Sequence, residues 1–443
     1  MKTNGVITRF PPSPTGLLHI GNVRTALYSF FFSRKAEGKF IVRVEDTDRA
    51  RSKKEYEDDM FDCLKWLGLS YDGEVLRQSE RTEIYKNKIQ ELIKNGSAYI
   101  SEETEGENKE VVRFKNPGGK IKFQDLIRGE VEMNVGDLND FIIARNINEP
   151  VYHLTVVVDD MESGVTHIIR GEDHISNTPR QILIMEALGG QRPIYAHLPL
   201  ILAPDKSKLS KRKHGESVSL RYYINKGYLP GAMINFLSLI GWNPGTDKEL
   251  FTLNELIKEF DISKVQKSSA IFNVEKLDWI NKEHMKLLPE TKKTEEIYNH
   301  LKNNGAEKIS KKAYPIIFDH ISKWSDIDEM VGAGELSYFF ESPKYESSLL
   351  SSGSKYNTEK IKSHLNWIVQ TLKISSAEQF SSPEKIKDLI FDYATENGRG
   401  EVLWPLRVPL SGKEKSPDPF TLIYVLGKDE TTSRLMKTIE KLP

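Results

Sequence analysis

The chain has 443 residues, with 63 Lys and Arg against 64 Asp and Glu and a formal net charge of −1, and that length predicts roughly two to four domains rather than a single core. Hydrophobic residues make up 38% of it and charged ones 29%; no apolar run approaches the ~20 residues that span a bilayer and the first residues lack a secretory apolar stretch, so a cytoplasmic protein without a membrane span is expected. The single cysteine, Cys63, cannot close an internal disulfide, no Cys and His cluster has zinc spacing, and a balanced charge total decides nothing about a nucleic-acid partner, because a basic face can offset an acidic one.

Val6 to Phe10 is an apolar run that reads as a strand, and Ala26, Leu27, Phe30 and Phe31 recur at helical spacing. Between them lies Pro-Ser-Pro-Thr-Gly-Leu-Leu-His-Ile-Gly-Asn, from Pro12 to Asn22, a strand-to-helix turn that aims backbone N–H groups at an anion. Gly16 and Gly21 let backbone approach a ligand, Pro12 and Pro14 stiffen the approach, and His19 adds a donor able to follow a phosphate through a transition state. On its own, such a turn is usually no more than a turn.

Lys39 to Asp46 begins as a second strand, and Ser52-Lys-Lys-Glu55 is a capping box that opens a helix to about Leu67, with Cys63 a core thiol beside Met60, Leu64 and Leu67. Strand, helix, strand, helix implies a parallel sheet. Another helix follows Ser79 and stops near Gly96. The acidic stretch Ser101 to Lys109 opens an insertion, and from Val111 to about Arg145 short β-like runs alternate with Gly, Asn and Asp, as in a small α+β insert.

Tyr152 to Asp160 suits a strand or a buried helix, and periodicity leaves both open. Val165 to Arg170 is a strand ending in Arg-Gly-Glu-Asp-His, Thr178-Pro179 caps a helix running to Gly189, and Ile194 to Leu202 is a further buried strand. That strand delivers the chain to Lys208-Leu-Ser-Lys-Arg212, whose Lys208 and Lys211 are point charges suited to a departing pyrophosphate. A lysine loop alone is a solvated surface. In this order with the first string it makes the second half of an ATP clamp, at the C-terminal edges of parallel strands.

Beyond Glu216 the sheet ends and helices are expected over Pro230 to Ile240, Thr252 to Phe260 with a Thr-x-x-Glu box, and Val274 to Lys286. Pro289 to Lys293 is the linker candidate, with helical patterns through most of the remainder. Ser347 to Ser354 is expected to be a loop, as is Ser411 to Pro419 before a final helix.

The two strings occur with three flanking blocks, Phe40 to Arg49, Ile169 to Arg180 and Phe272 to Asn281, and with Leu403-Trp-Pro-Leu-Arg407 and Ser411 to Pro419 near the end. Together they resemble the bacterial-type glutamyl-tRNA synthetases, class I enzymes, over nearly the whole chain. The resemblance implies an α/β fold: a Rossmann-like parallel-sheet catalytic domain (1–98 and 146–215) split by a small α+β acceptor-stem-binding insert (99–145), then all-α C-terminal domains for stem contact (216–290) and anticodon binding (291–443). It implies a glutamate-tRNA ligase that uses ATP and Mg2+ to form glutamyl-adenylate and pyrophosphate, then passes glutamate to the 2′-hydroxyl of the terminal adenosine of tRNA.

Carried onto matching positions, the resemblance assigns catalysis to His19, Gly21, Lys208, Ser210 and Lys211. It assigns ATP binding to Pro12, Ser13, Thr15, Gly16, His19, Gly21, Asn22, Asp173, Lys208 and Lys211, and glutamate binding to Arg9, Ser13, Glu45, Tyr152, Arg170 and His174. In that pocket Arg9 and Arg170 take the side-chain carboxylate and Glu45 the ammonium, as the charges of glutamate require. A buried arginine facing a neutral amide would lack its charge partner, which disfavours glutamine. Asn22, Leu209 and Arg212 depart from the generic class I strings, and the insert is shorter than usual and free of zinc-binding cysteines, so no zinc is expected. The implied partners are L-glutamate and glutamate or glutamine tRNAs, for a monomer without membrane contact. A non-discriminating or glutamine-tRNA-specific enzyme is the near alternative, and an inactive tRNA-binding protein on the same scaffold the distant one.

Overall fold

The computed structural model describes residues 5–103, 110–136, 138–351 and 358–442, and the chain divides into two compact units, Met1–Lys286 and Leu287–Pro443. In the first, β1 (Ile7–Phe10), β2 (Lys39–Val44) and β3 (Leu76–Arg77) pair in parallel in that order, with α1 (Ile20–Lys35) and α2 (Lys54–Trp66) as the crossovers. The helix α1 is buried on almost every side, from Val23 and Leu27 to Phe30 and Phe31. Its Tyr28 and Phe31 rings stand 5.0 and 5.6 Å from Phe260, and the Tyr28 hydroxyl donates to the carbonyls of Ser238 and Ile240. Burying each such aromatic contributes ~1.5–3 kcal/mol, so α1 is the spine of the unit.

The expected capping box at Ser52 does not form. Ser52 N donates to Asp48 O and Lys53 N to Pro14 O, so the turn uses these residues to anchor the signature loop, and α2 starts one residue later from an Lys53 cap without a side-chain bond. Cys63 is buried, and burial followed by the Asp59 carboxylate pushes its thiol up to about 12. After α3 (Thr82–Lys94), Gly96 takes φ +79 as the stop.

Among the described residues six strands then run to α4: β4 (Ala98–Glu102), β5 (Glu110–Phe114), β6 (Lys120–Asp125), β7 (Gly129–Asn134), β8 (Phe141–Asn146) and β9 (Glu149–Pro150). Ser101 and Glu102 close β4, while 104–109 of the acidic stretch lies outside the described residues. Four of these strands form an antiparallel sheet in the order β4-β5-β8-β9. The β6-β7 hairpin instead extends β10 (His167–Gly171) and β11 (Ile194–Leu198), giving the order β10-β11-β6-β7, with β11 and β6 meeting at Tyr195 and Asp125. The ambiguous stretch is a helix, α4 (Tyr152–Glu162), buried from Leu154 to Asp160.

Three further expectations change here. The helix α5 (Thr178–Ala187) is capped from Asn177, with Thr178 already inside it and its hydroxyl engaged by Arg170 rather than by the helix. The strand Ile194 to Leu202 is interrupted at Pro199, which has no N–H for a ladder, leaving β11 and a short β12 (Ile201–Leu202). Nor does β structure end before Glu216: β13 (Ala270–Ile271), too short to show a period, returns to pair in parallel with β12. The helices α6 (Lys211–His214), α7 (Leu220–Asn225), α8 (Pro230–Leu239), α9 (Leu253–Glu259) and α10 (Val274–Lys286) complete the unit, and the Thr252 and Glu255 capping box on α9 is present.

The second unit is helical among its described residues: α11 (Glu290–Asn303), α12 (Tyr314–His320), α13 (Ser325–Gly332), α14 (Ser348–Ser351), α15 (Thr358–Ile374), α16 (Pro383–Glu396), α17 (Arg399–Ser411) and α18 (Pro419–Lys441). Leu365, Leu406 and Leu422 of α15, α17 and α18 are fully buried. The linker candidate is mostly helix. Pro289 caps α11, and Lys292 pairs with Glu295 and Glu296 at 3.2 and 2.9 Å, so these lysines are charges of a helix face. Within the serine-rich stretch α14 makes one turn, and 352–354 lies outside the described residues. The loop after Ser411 ends at Asp418, whose carboxylate caps α18.

Candidate active site

The turn between β1 and α1 is organised by His19. It is the N-cap of α1, and its Nδ1 accepts the Gly21 N–H at 3.0 Å. Burial lowers its pKa, the Leu209 carbonyl acts in the opposite sense, and Lys208 lowers it further. The ring is therefore neutral near pH 7, with the remaining proton on Nε2. Gly21 has a steric reason: a Cβ there would lie 3.3 Å from His19 Nδ1.

The lysine loop is a tight reversal that leaves β12 and comes back along it. Ala203 N donates to Ser207 O at 2.8 Å, Leu209 N donates to Ile201 O at 3.3 Å, and Lys206 supplies the positive φ of +63 that the reversal needs. Lys208 Nζ reaches Asp173 Oδ2 at 3.2 Å, with both side chains about half exposed. Burial alone would raise the Asp173 pKa, but His174 and Lys208 outweigh it and hold the carboxyl below its usual value. An exposed pair of this kind is worth no more than ~1 kcal/mol, so Lys208 can exchange Asp173 for a phosphate at little cost.

The floor of the site is a buried ion network that joins β1, β2, the turn after β3 and α3 to α4. Arg9 Nε donates to Asp160 Oδ1 at 3.2 Å, and Arg43 Nη1 donates to the same oxygen at 2.6 Å. Arg43 also bonds Glu45 at 3.1 Å and stands 3.7 Å from Asp159. Asp159 in turn accepts from Gln78, Arg81 and Tyr85 at 2.8 to 3.0 Å. Burial disfavours the Arg43 charge, yet Asp160, Glu45 and Asp159 together raise its pKa. Glu45 titrates above the usual carboxylate range, because burial outweighs Arg43. The Arg9 Nη1 has no partner among the described residues.

Arg170, only 6% exposed, is held by neutral groups: its Nε donates to His197 at 3.1 Å, Nη1 to Gln181 at 2.8 Å and Nη2 to Thr178 at 2.8 Å. Burial is the main reason its pKa falls. A guanidinium this desolvated without a carboxylate partner is a receptor for one. Next to it, the Tyr152 hydroxyl lies 3.2 Å from His174 Nδ1, and burial keeps both side chains neutral at pH 7.

These groups surround one cavity of about 510 Å³. Its walls include Arg9, Pro12, Ser13, His19, Gly21, Asn22, Glu45, Tyr152, Arg170, Asp173, His174 and Lys208. Thr15 and Gly16 line a smaller neighbouring cavity of about 190 Å³ that shares Pro12, Ser13, His19 and Asn22 with the first. Ser210 and the exposed Lys211 line neither. Five cationic side chains, Arg9, Arg24, Arg51, Arg170 and Lys208, face three carboxylates, Glu45, Asp48 and Asp173, so the cavity carries a positive excess suited to an anionic ligand. Among the described residues, no group of three His, Cys, Asp or Glu is placed to hold a metal ion.

Sequence reasoning missed Arg43, Asp159, Asp160, Thr178, Gln181 and His197. A signal was present for some of them. Arg9 and Arg43 interrupt apolar strands, and Asp159-Asp160 ends an apolar run; charges in such places demand buried partners.

The chain matches the family model for tRNA synthetases class I (E and Q), catalytic domain, over residues 5–110 and 100–279, and an anticodon binding domain model over 272–439. A glutamate–tRNA ligase of Francisella tularensis is 36% identical over 99% of both chains, and one of Aquifex aeolicus 38% identical over 99% of both. Among solved structures, a glutamate tRNA ligase from Elizabethkingia meningosepticum in complex with its amino acid aligns with a TM-score of 0.88 at 31% identity, covering 99% of this chain and 100% of that one. The synthetase from Elizabethkingia anophelis aligns with a TM-score of 0.86 at the same identity.

Proposed function

The chain belongs to the class I glutamyl-tRNA synthetases, and from that premise we propose how its cavity selects glutamate and joins it to tRNA. The protein is a glutamate–tRNA ligase with a Rossmann-like catalytic unit and a helical anticodon-binding unit. One observation carries the reading of its pocket. Among the described residues, two buried guanidiniums, Arg9 with an unpartnered Nη1 and Arg170 with only neutral acceptors, face the same cavity as the largely buried carboxylate of Glu45. Glutamate supplies the complement: its side-chain carboxylate sits between Arg9 and Arg170, and its ammonium sits on Glu45, beside Ser13, Tyr152 and His174.

ATP enters as its magnesium complex, the ion riding on phosphate oxygens as part of the substrate. Its phosphates lie along Pro12 to Asn22 over the start of α1, where backbone N–H groups and the helix dipole favour an anion. The glutamate α-carboxylate attacks the α-phosphate. His19 Nε2–H transfers its bond from Leu209 to a phosphate oxygen, and Lys208 leaves Asp173 for the departing pyrophosphate. Ser210 and Lys211 join as the loop closes on the nucleotide. The 2′-hydroxyl of the terminal adenosine of tRNA then attacks the adenylate carbonyl, the bond from that carbon to the phosphate oxygen breaks, and AMP leaves with the hydroxyl proton passing to a phosphate oxygen.

Charging of purified glutamate and glutamine tRNAs with labelled glutamate, together with ATP–pyrophosphate exchange with and without tRNA, tests the proposal. Charging of glutamate tRNA and tRNA-dependent exchange are expected. Charging of neither tRNA refutes the pocket, and vigorous exchange without tRNA refutes the tRNA dependence of activation.

A further inference from the structure

We propose that Asp125 and His197 act as a positioning pair for Arg170, so that the β6-β7 hairpin helps decide which amino acid the cavity accepts. This rests on the reading that Arg170 grips the side-chain carboxylate of glutamate.

The three residues lie across three adjacent strands. Arg170 of β10 is directly opposite His197 of β11 in the parallel register, and β11 meets the end of β6 at Tyr195 and Asp125. The Asp125 and His197 side chains are fully buried, with Oδ2 2.6 Å from Nδ1. Asp125 accepts three further bonds, from the backbone N–H groups of His197 at 3.0 Å, Ile127 at 2.9 Å and Arg128 at 2.8 Å. A carboxylate with that many donors stays ionised and can only accept, so the proton of a neutral His197 sits on Nδ1. Nε2 is left with its lone pair, directed at Arg170 Nε at 3.1 Å. The opposite tautomer would set two donors against each other.

The indirect arrangement has a purpose that a direct ion pair would defeat. An aspartate touching Arg170 would neutralise it and compete with the substrate carboxylate. Placed one imidazole away, Asp125 fixes the direction of the guanidinium fork while its charge remains available to a ligand.

His197→Gln and His197→Asn in the full-length enzyme separate positioning from filling. A glutamine carbonyl reaches the Nε2 position and can accept from Arg170, whereas asparagine reaches only the Nδ1 position and keeps Asp125 but not Arg170. In tRNA charging, His197→Asn is expected to raise the glutamate KM by about 10–100-fold, the worth of one bond to a charged group, and to narrow the preference for glutamate over glutamine, with the ATP KM unchanged. His197→Gln is expected to remain close to wild type. Asp125→Asn should raise the glutamate KM in the wild-type background and add nothing in the His197→Gln background, a cycle that stands even if His197→Asn does not fold. Equal loss in both His197 variants, or an Asp125→Asn effect that is the same in both backgrounds, overturns the positioning pair. Arg170→Ala separates the two levels: if it leaves the glutamate KM and preference unchanged, the assignment of Arg170 fails, whereas if it raises the KM while both His197 variants charge normally, only the pair fails.

Discussion

Replacing Arg170 with alanine should convert a selective glutamate site into a weak and poorly selective one while leaving nucleotide handling intact. The side chain is 6% exposed and, among the described residues, bonds only neutral acceptors, so in the ligand complex its charge serves one partner. Each hydrogen bond to a charged group contributes ~1.5–3 kcal/mol, so two bonds to a carboxylate are worth ~3–6 kcal/mol. With Arg9 retained the lower half applies, which predicts a glutamate KM raised by about 10²–10³-fold. The interaction is made in ground and transition states alike, so kcat at saturating glutamate should change far less than KM. The ratio of kcat/KM for glutamate over glutamine should fall, because the amide no longer leaves a buried cation unpaired. Stability is a useful control. Removing a cation whose charge burial disfavours offsets the void left behind, so the melting transition should stay near that of the wild type. The assay is tRNA charging at varied glutamate, glutamine and ATP. An unchanged glutamate KM, or KM values for glutamate and ATP that rise together, would refute the reasoning.

Lys208→Ala should lower kcat for pyrophosphate exchange by about 10²-fold, the scale for losing one preorganised charge at a developing anion, with the glutamate KM and the melting temperature unmoved because its pair with Asp173 is half exposed; a selective KM effect would count against that role. Gly21→Ala places a methyl 3.3 Å from His19 Nδ1, so ATP use should weaken while thermal stability holds within ~1 kcal/mol, the helix-propensity gain offsetting the crowded cap. Full activity in that variant would remove the steric argument for glycine. His153 has an Nδ1 without a partner among the described residues and a pKa pushed down to about 4, first by burial and then by Arg180 and Arg170. Its folded value lies below the unfolded one, so its contribution is complete above pH ~6.5 and is lost as pH falls toward 4, ~2 kcal/mol of it by pH 5. Urea titrations at pH 7 and pH 5 check this, since His153→Gln should shrink the acid loss by that amount, and an identical loss in both proteins would contradict it.

The turn carrying His19 and the order of strands and helices around it were legible because each rests on local rules: an apolar run, a glycine at a close approach, a helical period. For the floor of the cavity the sequence marked charges inside apolar runs as needing buried partners, but the local rules could not say which partners. Arg9 and Arg43 reach Asp160 across 151 and 117 residues of chain, and Arg81 reaches Asp159 across 78, distances at which periodicity carries no information. Where local rules misfired, tertiary structure had claimed the residue. Thr178 looked like a helix cap, but its hydroxyl accepts from Arg170. Pro199 broke a run read as continuous, and its carbonyl now accepts from Arg24. Such failures mark positions where the site overrides propensity.

The stretch Tyr152 to Asp160 makes that argument specific. As a strand it would send Asp159 and Asp160 to opposite faces of a sheet, since successive side chains alternate. On a helix they are about 100° apart, close enough for one guanidinium to serve both. Arg43 does so, 2.6 Å from Asp160 and 3.7 Å from Asp159, while Asp160 also takes Arg9 and Asp159 also takes Arg81. Two adjacent acids buried at the end of an apolar run need cations, and cations arriving from strands on one side can be shared only if both acids face that side. The apolar period of this segment could not choose between strand and helix, but the charge balance of the pocket beneath it could. The helix exists in the form that lets two aspartates anchor Arg9 and Arg43, and through Arg43 orient Glu45 toward the cavity.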